Sequence, residues 1–470
     1  MSRNTLISES VTVAKAKTIV VVGAGAIGLL YGCRLLEAEQ ITGKGELDLN
    51  FICRRDFHYC STHGFKMKSP DGDYFSGKGS SIFGKIHLDS STISVPVDGV
   101  EWIICAVKSY SLQDDEGELL RKLIAPMIGR NSRILLIMNG LGCERLFCEW
   151  FGSKIVFVGM AFTCVNRNKP DICFSREFNL IDHIAFGALS IGHCENNIDE
   201  LEIAKSLWSS TKISSKVTVA TSLLHAQWSK LCWNIPFNGL SVALGGVTTD
   251  IIADDHDLRI IADRIMIDTI SLANADILFH FEEDLLVQTT TATLERTTGG
   301  QKAGETLSDL AAIVAPKLIN GDEIRSYCWA LTDNMGPYKS STVLDLINGN
   351  RLELEYLFNQ PLERARAIST YRRAQGKCKM TSTAKSNVLP ANYCDSCDGS
   401  RVGMKIEERT VSASTDTCGG GGKEEESITG ATDWIHLETV VMQVTAMARI
   451  AAIKRKRGVQ WTPTLISEIE

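Results

Sequence analysis

The chain has no excess of basic residues: 49 Lys and Arg face 56 Asp and Glu across 470 residues, a formal net charge of −7. No overall basic field exists to recruit nucleic acid or an anionic membrane, so any anionic ligand has to be held by a local site. Long apolar runs are missing as well. The longest near the N-terminus, TIVVVGAGAIGLLYG, is punctuated by glycine and falls short of the ~20 residues a membrane span needs. Regularly spaced cysteines are also absent. There are 15, but Cys33, Cys53, Cys105, Cys164, Cys232 and Cys328 stand singly in apolar segments, which reads as buried free thiols in a reducing compartment. Cys394-x-x-Cys397, with Cys378 and Cys418 nearby, has irregular outer spacing and no neighbouring histidine, so no metal is expected. No internal repeat is evident. A cytoplasmic protein is the expectation; residues 1–17 read as a disordered tail, with a short Ser/Thr-rich organelle address as the alternative.

What is present is an alternation. TIVVVG, DLNFIC, EWIICAV, RILLIM and KIVFVG are short β-branched runs separated by helical stretches, which argues a doubly wound, mostly parallel sheet over residues 18–218. FNLIDHIAFGAL near its end looks more antiparallel. From residue 219 to 367 helical periodicity takes over and predicts an all-α domain, with a loop insertion near 290–325 in which LSDLAAIVAPKLI itself has a helical period. Residues 368–432 have few large apolar residues and a CGGGGKEEES run, so a disordered or low-complexity insertion is expected there. Residues 433–470 return to helix and then a tail. The basic KRKRG suits a helix C-terminus.

The first strand runs straight into GAGAIG (Gly23, Ala24, Gly25, Ala26, Ile27, Gly28), and a helix follows. In that context the three glycines serve a tight turn, close approach of backbone to a pyrophosphate, and close packing of helix on strand, the signature of a Rossmann-type dinucleotide site. Counting ~20 residues on lands on Asp48, the usual ribose reader for NAD. Asp48 opens the second strand, however, and the strand's carboxyl end carries Arg54-Arg55, which suits the 2′-phosphate of NADP. Lys108 in AVKSY and Asn139 in MNGLG follow the next two strands and point at the same crevice.

In WSKLCWNIPFNG, Lys230 is followed four and eight residues later by Asn234 and Asn238, one drifting stripe of a helix. Two readings stay open at this point: a site, or a lysine that snorkels to solvent beside asparagines capping a helix broken at Pro236. GPYKSSTVLDLINGNRLELEY adds Ser340, Ser341, Asp345, Glu353 and Glu355 on what reads as one serine-started helix, with Ser341 near its positive end.

Taken in order, GAGAIGLLYG, AVKSY, MNGLG, WSKLCWNIPFN and SSTVLDL…LELEY resemble the ketopantoate reductase (2-dehydropantoate 2-reductase) family over most of residues 18–365. The resemblance implies NADPH-dependent reduction of 2-dehydropantoate to (R)-pantoate in pantothenate and coenzyme A biosynthesis, by a monomer or homodimer. It implies Lys230 as the catalytic acid with Glu353 supporting it near the nicotinamide. Asn139, Asn234, Asn238, Ser341 and Asp345 would face the substrate; the glycine loop, Arg54, Lys108, Asn139, Cys164 and Glu353 would face NADPH/NADP+. Two positions depart from the family pattern: Thr248 stands where many members have Asn, and ELEYLFN lacks the usual glycine. The alternatives are reduction of another branched 2-oxo acid, or an NADP-binding sensor that has lost catalysis.

Overall fold

The computed structural model describes residues 16–76, 84–168, 180–297, 315–381 and 434–457, with backbone alone for 284–297 and 374–381. The run KTIVVV forms β1 (Lys17–Val22), buried from Thr18 onward as a strand covered on both faces must be. It lies in a mixed ten-stranded sheet. The order is β4 (Tyr74–Ser76), β3 (Phe65–Lys68), β9 (Ile181–His193), β8 (Val156–Arg167), β7 (Arg133–Leu136), β6 (Trp102–Cys105), β1, β2 (Leu47–Ile52), β5 (Lys85–His87), and β10 (Val217–Ala220) pairs with β9. Among the described residues only the β3·β4 and β8·β9 pairs are antiparallel, the second including the segment whose pattern had looked so.

Period-2 alternation in β1 sends its side chains to two different cores. Ile19 and Val21 pack with α1 (Ala26–Thr42), α2 (Phe57–His63) and α5 (Ile198–Ser206). Val20 and Val22 pack with α3 (Glu118–Ile124) and α4 (Glu144–Phe151). The chain leaves β1 for β2 on one side and later returns to β6 on the other, so the order reverses between β1 and β6. Ligands bind outside the carboxyl ends of strands at such a switch point.

The second half is helical: α6 (Leu223–Trp233), α7 (Gly239–Ala243), α8 (Thr249–Asp254), α9 (His256–Thr297), α10 (Gly321–Asp333), α11 (Ser341–Ile347), α12 (Gln360–Thr381) and α13 (Ile435–Lys456). Trp228, Leu231, Phe237, Met266, Phe358 and Val440 share its core, so the helix before and the helix after residues 382–433 are packed into one unit. An α/β N-terminal part is thus followed by an all-α part.

Four sequence expectations are corrected. The helix α9 reaches Thr297 and α10 begins at Gly321, which narrows the loop insertion placed at 290–325. Residues 315–319, the end of LSDLAAIVAPKLI, are not helical: Pro316 lacks an amide to donate, and Asn320, the next residue, instead accepts from the Glu323 amide as the N-cap of α10. Helix α12 continues to Thr381, past the boundary set at 367; Leu362, Ala365 and Ile368 bury one face of its first half, and the Tyr371 ring packs on Phe279 beyond that boundary. Asp345 and Glu353 do not share a helix, since α11 stops at Ile347 and the chain turns through Gly349, φ +64°. Residues 1–15 and Cys394, Cys397 and Cys418 lie outside the described residues. No helix among the described residues is long and apolar enough to cross a membrane.

Candidate active site

The glycine turn sits at the switch point. A side chain at Gly23 (φ +93°) would meet Val107 Cγ1 at 2.7 Å, and one at Gly28 would meet the Gly23 carbonyl oxygen at 2.1 Å. Both glycines are therefore required by packing of the turn itself. Gly25 differs: a Cβ there would find nothing nearer than 4.0 Å and would fill the open space in front of the α1 N-terminus. That N-terminus has no side-chain cap and no acidic residue in its first turn, which leaves its amides facing a cavity of about 1020 Å³. Amides so arranged, with backbone reachable at Gly25, fit a dinucleotide pyrophosphate.

Arg54 and Arg55 follow β2, are exposed, and line the same cavity. Asp48 does not line it; its carboxylate is paired with Lys85 at 2.7 Å. Two exposed guanidinium groups therefore stand at the carboxyl end of β2, beside the cavity.

Lys108 N-caps the turn after β6 and reaches across to the helical half. Its Nζ donates to Asp345 Oδ2 at 2.7 Å and to Glu353 Oε2 at 3.0 Å, while Glu353 Oε1 accepts from the Ser109 amide at 2.7 Å. Burial alone would lower the Lys108 pKa, but the Glu353 and Asp345 carboxylates outweigh it and hold the ammonium charged. The Asp345 pKa is raised too, here toward the neutral acid: burial pushes its carboxyl up, only partly offset by Lys108. The direct hydrogen-bond partners of Glu353 are thus Lys108 and Ser109, not Lys230.

Lys230 is 8% exposed, and its Nζ donates to Asn139 Oδ1 at 2.9 Å. The Phe162 ring lies 5.9 Å from the same nitrogen. Burial lowers its pKa to about 8, against the opposing pull of Glu353 and Cys143. The lysine does not snorkel. Asn139 is fixed in turn, because the adjacent Gly140 (φ +113°) lies against Tyr356, and the Leu141 amide donates to the Tyr356 carbonyl at 2.8 Å.

Pro236 does not break the helix. Residues Asn234–Asn238 form a π-turn between α6 and α7, a wider turn that accommodates the missing amide. In an α-helix, residues four apart drift by about 40°; a wider turn uses less rotation per residue and offsets that drift. Asn234 and Asn238 are therefore kept on the Lys230 side, both lining the cavity. Asn234 Nδ2 and Asn238 Oδ1 are buried without a protein partner, which is costly unless a ligand supplies one.

The remaining residues are placed as follows. Ser341 lines the cavity as the first residue of α11, but the helix is capped by Ser340, whose Oγ accepts from the Val343 amide. Cys164 lines it from β8, its thiol pushed up to about 12 by burial and hydrogen-bonded to Tyr338. Glu355 begins a second π-turn and bonds Asn359 and Gln360 away from the cavity. His225 is half-buried and outside it. Sequence reasoning missed Phe162 and Tyr338. Neither has a local signal: Phe162 is aimed by a register shift between Phe162 and Thr163 in the β8·β9 ladder.

Residues 19–190 match the family described as "Ketopantoate reductase PanE/ApbA", and residues 222–371 match "Ketopantoate reductase PanE/ApbA C terminal". A 2-dehydropantoate 2-reductase of Nostoc sp. is 22% identical over 355 residues, 74% of this chain and 88% of that protein. Among solved structures, 2-dehydropantoate 2-reductase from Geobacter metallireducens GS-15 is 24% identical with a TM-score of 0.57, covering 75% of this chain and 94% of that one. The ternary structure of D-mandelate dehydrogenase with NADH and anilino(oxo)acetate is 14% identical with a TM-score of 0.56, covering 92% and 99%. These structures share the fold. The two family matches together span well over half of the sequence, and the chain belongs to the ketopantoate reductase family.

Proposed function

We propose that this member of the ketopantoate reductase family reduces 2-dehydropantoate to pantoate with NADPH, serving pantothenate and coenzyme A biosynthesis, and that Lys230 is the proton donor. The observation that carries the reading is one buried ammonium opening onto the same cavity as the glycine turn, beside two asparagine side chains with unpartnered polar atoms.

The sheet half would hold the cofactor through the amides at Gly25 and Ala26 and through Arg54 and Arg55. The nicotinamide, when bound, supplies a hydride to the carbonyl carbon. Every other role falls to the chain. Lys230, aimed by Asn139, stabilises negative charge developing on the carbonyl oxygen and gives it a proton. Asn234 and Asn238 use their free amide groups on the substrate. Ser341, at the start of α11, faces the substrate carboxylate. Glu353, held by Lys108 and the Ser109 amide, places a negative charge that favours the protonated form of Lys230. Asp345 shares Lys108 with it and ties the two halves together.

Steady-state loss of NADPH absorbance with purified protein tests this, using 2-dehydropantoate beside other branched 2-oxo acids. Efficient turnover of 2-dehydropantoate supports the reading, and no turnover of any 2-oxo acid refutes it. One observation favours the second reading, another branched 2-oxo acid as substrate: Thr248, which stands where the family pattern has Asn, is not among the cavity-lining residues.

A further inference from the structure

Cys53 and Cys60 lie on either side of the Arg54-Arg55 turn. Cys53 directly follows β2, its amide donates to the His87 carbonyl at 2.9 Å, and the residue, 4% exposed, is one of those that line the cavity. Cys60 is fully buried on α2, and the two sulfurs are 3.8 Å apart. Buried thiols are common, but paired thiols spanning a ligand-facing turn are a different arrangement, because one of them is reachable through the cavity and the other stands behind it.

We propose that Cys53 and Cys60 are a site of reversible oxidation, forming an intramolecular disulfide with peroxide as oxidant, and that this bond weakens NADPH binding. The second half of this statement rests on the reading of Arg54 and Arg55 given under Proposed function. The chemistry balances simply. The Cys53 thiolate attacks a peroxide oxygen and expels hydroxide, giving a sulfenic acid; the Cys60 sulfur attacks that sulfur and expels water. Two thiols lose two electrons and two protons, and one hydrogen peroxide becomes two waters. Cys53 is suited to the first step: the Cys60 hydrogen bond, then the Arg167 guanidinium, hold its thiol below the usual range. Arg167 is itself fixed by Asp56 at 2.6 Å.

A disulfide needs sulfurs about 2.05 Å apart, so the present gap must close by movement of α2 or of the turn. The strand end is anchored in the ladder beside β5, where Ile52 pairs with His87. Arg54 and Arg55 lie in the chain between the two cysteines, so the bond constrains the turn that carries them. A dinucleotide filling the cavity would in turn shield Cys53.

The test uses the full chain, reduced and then treated with hydrogen peroxide, with and without saturating NADPH. Peptide mass mapping after alkylation reads the link, and fluorescence titration reads the NADPH dissociation constant. The expected result is a Cys53–Cys60 linked peptide that forms more slowly with NADPH bound, a roughly tenfold weaker NADPH affinity, recovery with dithiothreitol, and no such loss in Cys60→Ser. Mapping also separates this pair from the hydrogen-bonded Cys148 and Cys194, which lie outside the cavity lining. Both cysteines recovered as free thiols, or a linked protein that binds NADPH as the reduced protein does, overturns the proposal. Failure of the reduced protein to bind NADPH would instead count against the cofactor assignment.

Discussion

Asn139, at the end of a sheet strand, and Lys230, on a helix of the other half, are joined across the cleft by a 2.9 Å hydrogen bond from the ammonium to the amide oxygen. The bond aims the lysine and keeps a buried charge satisfied. Replacing Asn139 by Ala is expected to lower kcat/KM by roughly 10- to 100-fold, the equivalent of a charged hydrogen bond. The same variant is expected to shift the pH profile of reduction to lower pH, as read by initial rates between pH 6 and about 10.

The pH profile of the unmodified protein follows from Lys230. Its pKa is lowered from 10.5 to about 8 by burial, so the ammonium that the proposed mechanism uses for reduction is present below about 8 and is lost as pH rises through that value. Reduction is expected to fall on that limb, and oxidation of the hydroxy acid, which needs the neutral amine, to rise on it. Glu353→Gln removes a charge that supports the ammonium, and its limb is expected at lower pH than that of the unmodified protein.

Burial of the same group carries a cost to stability. Below about 8 both folded and unfolded chains hold the proton and the full cost of the buried charge is present; between about 8 and 10.5 the unfolded chain binds more protons, so stability rises with pH. Lys230→Met is therefore expected to be inactive yet more stable at neutral pH, on the order of 2 kcal/mol. Urea titration at pH 7 measures it.

The proposed reading gives Arg54 and Arg55 the choice of cofactor. The double substitution Arg54→Ala, Arg55→Ala is expected to raise KM for NADPH by roughly 10- to 100-fold and to leave KM for NADH within about threefold. Equal losses with both cofactors would remove the arginines from phosphate recognition.

Much of this was legible in the sequence because the signals were local. GAGAIG is a continuous strand–turn–helix, and β1, β2, β6 and β7 are β-branched runs whose faces are both buried, so composition alone reveals them. The Lys230, Asn234 and Asn238 stripe follows helical spacing. The partners were not legible. Lys108 binds Asp345 and Glu353 across more than 230 positions of sequence, a pairing that no local pattern encodes. Pro236 looked like a break because a π-turn has no sequence signal beyond the proline itself. The continuation of α12 past 367 was hidden because its apolar face is sparse: Leu362, Ala365 and Ile368 are buried among Glu363, Arg364 and Arg366.

The central claim is that Lys230 donates the proton. Single-turnover reduction of 2-dehydropantoate by Lys230→Ala, with NADPH affinity measured on the same preparation, tests it most directly. The account predicts a loss of roughly 10²- to 10⁴-fold in the chemical step with NADPH binding unchanged. A variant that binds NADPH normally and turns over at the unmodified rate would contradict it.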